Sequence, residues 1–308
     1  MSGELPGNIN RSPGWETDVL SEAATRSGPD GRGRGRFRIL MAGGAVALVL
    51  AIVAVIVVIR VNAGSPAPSP APTSAPAASG PNTGTLLPAS VAAQVTGVPV
   101  GTLDAVGGGS VLSSDSTPVS RVSGSPLSSG GKPEMLYIGA EFCPYCAAMR
   151  WSMAVALSRF GRLSPLHGIH SSSTDLDPNT PTLTFYGSSY ASPYLAFVPV
   201  ENQTVSHGPL QKPTPAEQAA WNRYDPNSYP FIDFGGKYVI SGAMYDPAVL
   251  AGQTWAGVAA ALHDPSSPIA QGALGAANLM TAAICGLTGG QPGSVCSSST
   301  IKGLETRL

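Results

Sequence analysis

A short apolar run, Met135 to Ala140, leads through Glu141-Phe142 into Cys143-Pro144-Tyr145-Cys146 and then directly into a helix-forming stretch. The run has the length of a buried strand, and Pro144 suits the first turn of a helix, where its missing N–H loses no hydrogen bond. Cys143 is thereby expected at the positive end of the helix. Unpaired N–H groups and the helix dipole favour a thiolate there, which points to Cys143 as the attacking sulfur. Cys146, one turn further in and more enclosed, can close a disulfide with it and resolve a mixed disulfide. The helix is expected to continue to about Phe160, with Cys146, Met149, Met153, Leu157 and Phe160 on the face toward a sheet. The two methionines read as core filler.

Other uses of a Cys-x-x-Cys pair fit less well. A zinc site normally needs a second close pair or a histidine partner. Here Cys285 and Cys296 stand well apart and the histidines are scattered. Covalent haem attachment needs His after the second cysteine, and position 147 is Ala. His167 and His170 lie in the strand-like Leu166–Ser171, placed as a strand of a parallel sheet, where alternation puts them on opposite faces. Gly130-Gly131-Lys132 lacks the first glycine of a phosphate loop and is followed by Pro133. No metal or cofactor is called for.

Around these motifs the sequence resembles the thioredoxin superfamily. Ala140-Glu141-Phe142-Cys143-x-x-Cys146 is similar to the thioredoxin active-site loop, and Cys-Pro-Tyr-Cys is the tetrapeptide of glutaredoxins. A second signature is Ser228-Tyr229-Pro230-Phe231-Ile232-Asp233-Phe234, a Gly235-Gly236 turn and Lys237–Gly242, a hairpin by local rules alone. The resemblance implies an α/β thioredoxin-like fold with an insertion. It also implies that Pro230 is a cis-proline facing the cysteines and that Tyr229 presents backbone groups to a substrate peptide.

A closer resemblance is to the membrane-anchored domain of unknown function 929 family. It is carried by Tyr137–Glu141, Cys143-Pro144, Ala147-Ala148, Arg150-Trp151, Ala156–Gly161 and the tail from Ile284-Cys285 to Cys296, and it spans roughly residues 86 to 300. That family name implies no reaction. One departure from thioredoxins is Tyr137, which stands where they place a buried carboxylate that accepts the second thiol's proton.

The 308 residues carry only 11% charged side chains, 37 Gly, 29 Pro and a formal net charge of −1. Near-neutrality argues against a nucleic-acid partner, whose phosphates call for a basic surface. Residues 1–38 are polar and poor in core-forming positions, which predicts a disordered cytoplasmic tail. From Ile39 to Ile59 no side chain is charged or strongly polar. At about 1.5 Å per residue such a helix reaches about 30 Å, enough to span the hydrocarbon core. Four arginines precede it, and after Arg60 no Lys or Arg appears before Arg121. The positive-inside rule therefore puts the N-terminus in the cytosol and the cysteines outside the cell membrane. A cleaved signal peptide ending near Ala63 is the rival, although its apolar core would be shorter than this run.

Residues 60–85 are almost all Pro, Ala, Ser, Gly and Thr and predict an extended spacer. Residues 86–265 are expected to form the thioredoxin-like domain, with a short helix at Pro88–Val95 and Gly/Ser-rich loops at 107–131. Between the two signatures, residues 175–227 are read as the insertion, including two strand-like runs and a helix from Pro215 to Tyr224, either as a substrate groove or as cover for a sheet edge. Pro247–Leu262 is expected as the closing helix, N-capped by Asp246. Residues 266–308 are expected to form a C-terminal helix and tail. The uncharged Pro268–Leu287 is placed against the domain rather than across a membrane, since Gln271, Asn278, Thr281 and glycines lower its hydrophobicity. Cys285 and Cys296 are expected as a structural disulfide, with a redox relay to Cys143–Cys146 left open.

Together these expectations describe a single-pass membrane protein whose extracytoplasmic domain exchanges thiols and disulfides with protein substrates, with room for a membrane redox partner. The alternative is a non-catalytic thioredoxin-like binding or assembly module.

Overall fold

The computed structural model describes residues 84–112 and 117–308. The tail, the apolar run Ile39–Ile59 and nearly all of the spacer lie outside the described residues. The rest is a mixed α/β domain built on a six-stranded sheet. Its strands are β1 (Ser120–Arg121), β2 (Ser128–Ser129), β3 (Lys132–Gly139), β4 (Ala196–Glu201), β5 (Phe231–Phe234) and β6 (Tyr238–Ser241). β3 is the axis of the sheet. It pairs in parallel with β4, from Glu134 opposite Ala196 to Gly139 opposite Glu201. On its other side it runs antiparallel to β5, with Phe231 opposite Ile138 and Phe234 opposite Met135. The Gly235-Gly236 turn, both glycines at positive φ, returns the chain into β6.

Alternation along β3 decides what each face carries. Met135 and Tyr137 face a large core that also takes Ile232, Phe234 and Ile240. Leu136 and Ile138 face a smaller one with Val200, Phe231, Val239 and Trp221. The first core is filled by α1 (Pro144–Ser158) and α3 (Pro268–Leu287), the second by α2 (Pro215–Tyr224). α2 starts where the sequence expects it, because Thr214 and Glu217 form a reciprocal capping box ahead of Pro215. The helix expected at Pro88–Val95 spans Ala89–Thr96.

Three expectations change. His167–His170 is a strand, but it lies in a separate sheet, antiparallel to both Thr85–Leu86 and Pro181–Thr184. The parallel partner of β3 is instead β4, so part of the stretch read as an insertion belongs to the central sheet. The closing helix at Pro247–Leu262 is broken into a 3-10 turn, Pro247–Leu250, and a short helix, Trp255–Ala261. Asp246 does cap the first of these, its Oδ1 accepting the Ala248 N–H at 2.9 Å. Finally, α1 is not one-faced: α3 lies along its other side, and Arg159, just past its end, donates to Asn278 and Thr281. Thirteen of its fifteen residues are buried in consequence.

Among the described residues one helix, α3, is long and apolar enough to cross a membrane, with a mean hydropathy of 1.3, and 89% of that window is buried inside the domain. Its apolar surface is thus already used in the core, through Leu274, Ala277, Leu279 and Ile284. Its end is tied by a disulfide from Cys285 to Cys296 on the next short helix, Gly293–Cys296.

Candidate functional site

The two remaining cysteines stand where β3 hands over to α1. Cys143 is the N-cap of α1, in extended backbone conformation, and its Sγ accepts the Cys146 N–H at 3.3 Å. Pro144 occupies the first turn, as its missing donor allows. The Cys143 N–H is bound to the Ala140 carbonyl at 3.2 Å, which fixes the bend between strand and helix. Both thiols are free. Cys143 keeps 6% of its surface exposed and Cys146 none.

This asymmetry separates the two sulfurs chemically. Cys143 is lowered below the usual thiol value, first by hydrogen bonding from the Cys146 thiol, with further help from the Cys146 N–H and the Arg150 charge, against the opposing effect of burial. Burial pushes Cys146 well up, and the negative sulfur next to it adds to the rise. The outer sulfur is therefore the easier of the two to deprotonate and the inner one the harder.

The Tyr229–Pro230 bond is cis. Tyr229 packs directly on the small cluster made by Ala140, Cys143 and Cys146. Its ring is stacked on Trp221 at 5.2 Å and meets the edge of Phe142 at 6.1 Å, and its hydroxyl donates to Asn202 Oδ1 at 2.5 Å. Burial, then the two sulfurs, raise its phenol to about 12. An open groove of about 570 Å³ starts here, between Tyr145, Tyr229, Gly242, Met244 and Pro247. The two sequence signatures, far apart in the chain, thus meet at one place.

On the inner side of the pair lies a set of polar groups that had no role in the expectations above. Arg150 and Glu201 are both fully buried and form a two-pronged pair, Nε to Oε1 at 2.9 Å and Nη2 to Oε2 at 2.6 Å. Arg150 Nη2 also donates to the Ala140 carbonyl at 2.8 Å. Glu141, nearly buried, accepts from Thr184 at 2.7 Å, and burial raises its carboxyl. A signal was present: Arg150 is the sole charged residue of α1, one turn beyond Cys146. A long charged side chain in an otherwise apolar helix needs a partner.

A loop from the end of β4 closes over this side. The Glu141 N–H binds the Gln203 carbonyl at 2.9 Å, the Asn202 N–H binds the Gly139 carbonyl at 2.7 Å, and His207 stacks on Phe142 at 4.0 Å. Elsewhere, His167 and His170 stay apart from the cysteines as functional candidates; His170 lies against Trp255. Among the described residues no group of three or more His, Cys, Asp or Glu comes together as a cation site.

The described residues thus define a mixed α/β domain with a buried dithiol at a strand-to-helix junction, its outer sulfur bearing the small exposed edge. Residues 118–286, more than half of the chain, match the family described as Domain of unknown function (DUF929), and the chain belongs to that family. No curated protein and no solved structure matches it.

Proposed function

We propose that this domain is thioredoxin-like and catalyses thiol-disulfide exchange on protein cysteines, with Cys143 as the attacking sulfur and Cys146 as the resolving one. The fold assignment is supported by the strand order β4-β3-β5-β6, one parallel pair beside an antiparallel hairpin, with α1 and α3 on one face and α2 on the other. The observation that carries the chemistry is the division between the sulfurs: one at the helix N-terminus with an exposed edge and a lowered pKa, the other buried behind it and raised. In the reducing direction Cys143 thiolate attacks a substrate disulfide, releases one substrate thiol and is left in a mixed disulfide. Cys146 then attacks the Cys143 sulfur, closing the pair and releasing the second thiol. Tyr229 borders the groove in which an extended substrate would lie, and the buried Pro230 follows it across the cis bond.

The uncharged run Ile39–Ile59 anchors this domain to the cell membrane as a single-pass protein, and the arginines before it place the domain outside the cytosol. Cys285–Cys296 acts as a structural disulfide. A second reading, a non-catalytic binding module, draws on the small exposure of Cys143.

The test is Cys146→Ala in cells, followed by isolation of whatever is disulfide-linked to Cys143. Without the resolving thiol, mixed disulfides with protein partners should accumulate and disappear when Cys143 is also replaced. A well-expressed protein that captures nothing favours the binding module.

A further inference from the structure

We propose that Arg150 is the positioning residue of the dithiol: its guanidinium, fixed beneath the cysteine loop, holds negative charge on the Cys146 sulfur when the mixed disulfide is resolved. This rests on the oxidoreductase reading above and adds to it the group that lets a buried thiol react.

The geometry follows from the helix. Side chains on a helix tilt toward its N-terminus, and residues four apart share a face, so Arg150 reaches back past Cys146 toward the cysteine loop. It arrives there: Nη2 ends on the carbonyl of Ala140, the same carbonyl that receives the Cys143 N–H, and Ala140 is packed against both sulfurs. Glu201, placed opposite Gly139 in the β3–β4 pairing, takes Nε and Nη2 and fixes the fork. Nη1 is buried and has no partner. A buried guanidinium with one donor group left over is costly unless negative charge comes to it.

Among the described residues none of the other titratable groups at this spot hydrogen-bonds a sulfur of the pair, Tyr229 included, whose hydroxyl is engaged with Asn202. Tyr137 on β3 has its ring 5.9 Å from the guanidinium and its buried hydroxyl unpartnered, and burial pushes its phenol well above the usual value. Glu141 in the loop is occupied with Thr184, and Glu201 on β4 with Arg150 and the Phe185 N–H. The Arg150 charge, by contrast, favours the thiolate at both sulfurs, although burial leaves Cys146 raised. In the resolving step Cys146 loses its proton, balanced by the one the leaving substrate sulfur takes up, and the Cys146 thiolate attacks Cys143. A new S–S bond forms, the bond to substrate breaks, and the substrate sulfur leaves as a thiolate that takes up a proton from solvent. Arg150 stays protonated throughout.

Removing Arg150 alone would strand a buried carboxylate, so the test removes the pair, Arg150→Met/Glu201→Gln, in the full chain. Cys143 is loaded as a mixed disulfide with glutathione disulfide, and release of glutathione by Cys146 is followed. The variant should release about tenfold more slowly, and the pH midpoint of Cys146 alkylation in the reduced domain should rise by about one unit. Arg150→Lys, which keeps the charge, should recover most of the rate. Should the methionine variant fail to fold, Arg150→Gln/Glu201→Gln carries the same expectation. A folded charge-free variant that releases at the wild-type rate, or a lysine variant as slow as the charge-free one, overturns the proposal. If wild type itself loads but never releases, the oxidoreductase reading fails. The alkylation midpoint then decides the role of Arg150 alone, and an unmoved midpoint overturns it.

Discussion

Gly139 shows how closely a single residue can be tied to the site. It is the last residue of β3, and a Cβ added there would lie 2.0 Å from the Tyr137 hydroxyl oxygen and 2.4 Å from its Cζ. The phenol ring fills the space a side chain would take. Because Tyr137 is fully buried and meets Phe185 edge-on at 5.5 Å, it has nowhere to retreat. Gly139→Ala is expected to destabilise the domain by about 1–3 kcal/mol, the usual cost of overfilling a packed core, measured by urea unfolding. Unchanged stability would mean that the ring moves freely. Much at this scale was legible in the sequence. Cys143, Pro144 and Cys146 were readable because a helix start has local rules. Arg150 and Glu201 were not assigned because their pairing joins a helix to a strand 51 positions away, and no local rule reaches that far.

Among the elements, α3 and its disulfide tie the C-terminal part of the chain to the large core. The helix packs against α1, and the bond at its end holds a tail with few apolar contacts of its own, chiefly Ile301 and Leu304. Replacing Cys285 and Cys296 together by Ala should cost about 2–4 kcal/mol by freeing the unfolded chain, seen as a lower Tm. Reactivity at Cys143 should persist, because the two pairs pack in separate clusters. Loss of exchange with the stability unchanged would instead mark the second pair as a relay. The helices at Pro215 and Pro268 were legible from their caps and composition. The sheet was only partly so. His167–His170 and Ala196–Glu201 are both apolar enough for a parallel strand, and the choice between them is made by pairing across the sheet, which periodicity does not encode.

For the molecule as a whole, buried acids set the response to pH. Burial raises the carboxyls of Glu134, Glu141 and Asp233, with repulsion from Glu217 and Asp233 adding at Glu134. An acid raised in the folded state contributes stability that is present below its unfolded value, about 4, and is lost as pH climbs through the folded one. His167, lowered by burial, works in the other direction and weakens the fold as pH drops below about 6.5. With three such acids against one histidine, unfolding midpoints should fall as pH rises from about 4 through the folded values of the acids, the histidine offsetting part of the fall. A midpoint that rises steadily from pH 5 to 8 would contradict this.

The most direct measurement is the pH dependence of alkylation at the two cysteines of the reduced domain, resolved residue by residue by mass spectrometry. The structure predicts that Cys143 reacts first, with a midpoint below the ordinary thiol value of about 8.5, while Cys146 stays protected until well above it. Equal reactivity at the two positions, or a Cys143 midpoint at or above the ordinary value, would contradict the assignment of an attacking and a resolving sulfur.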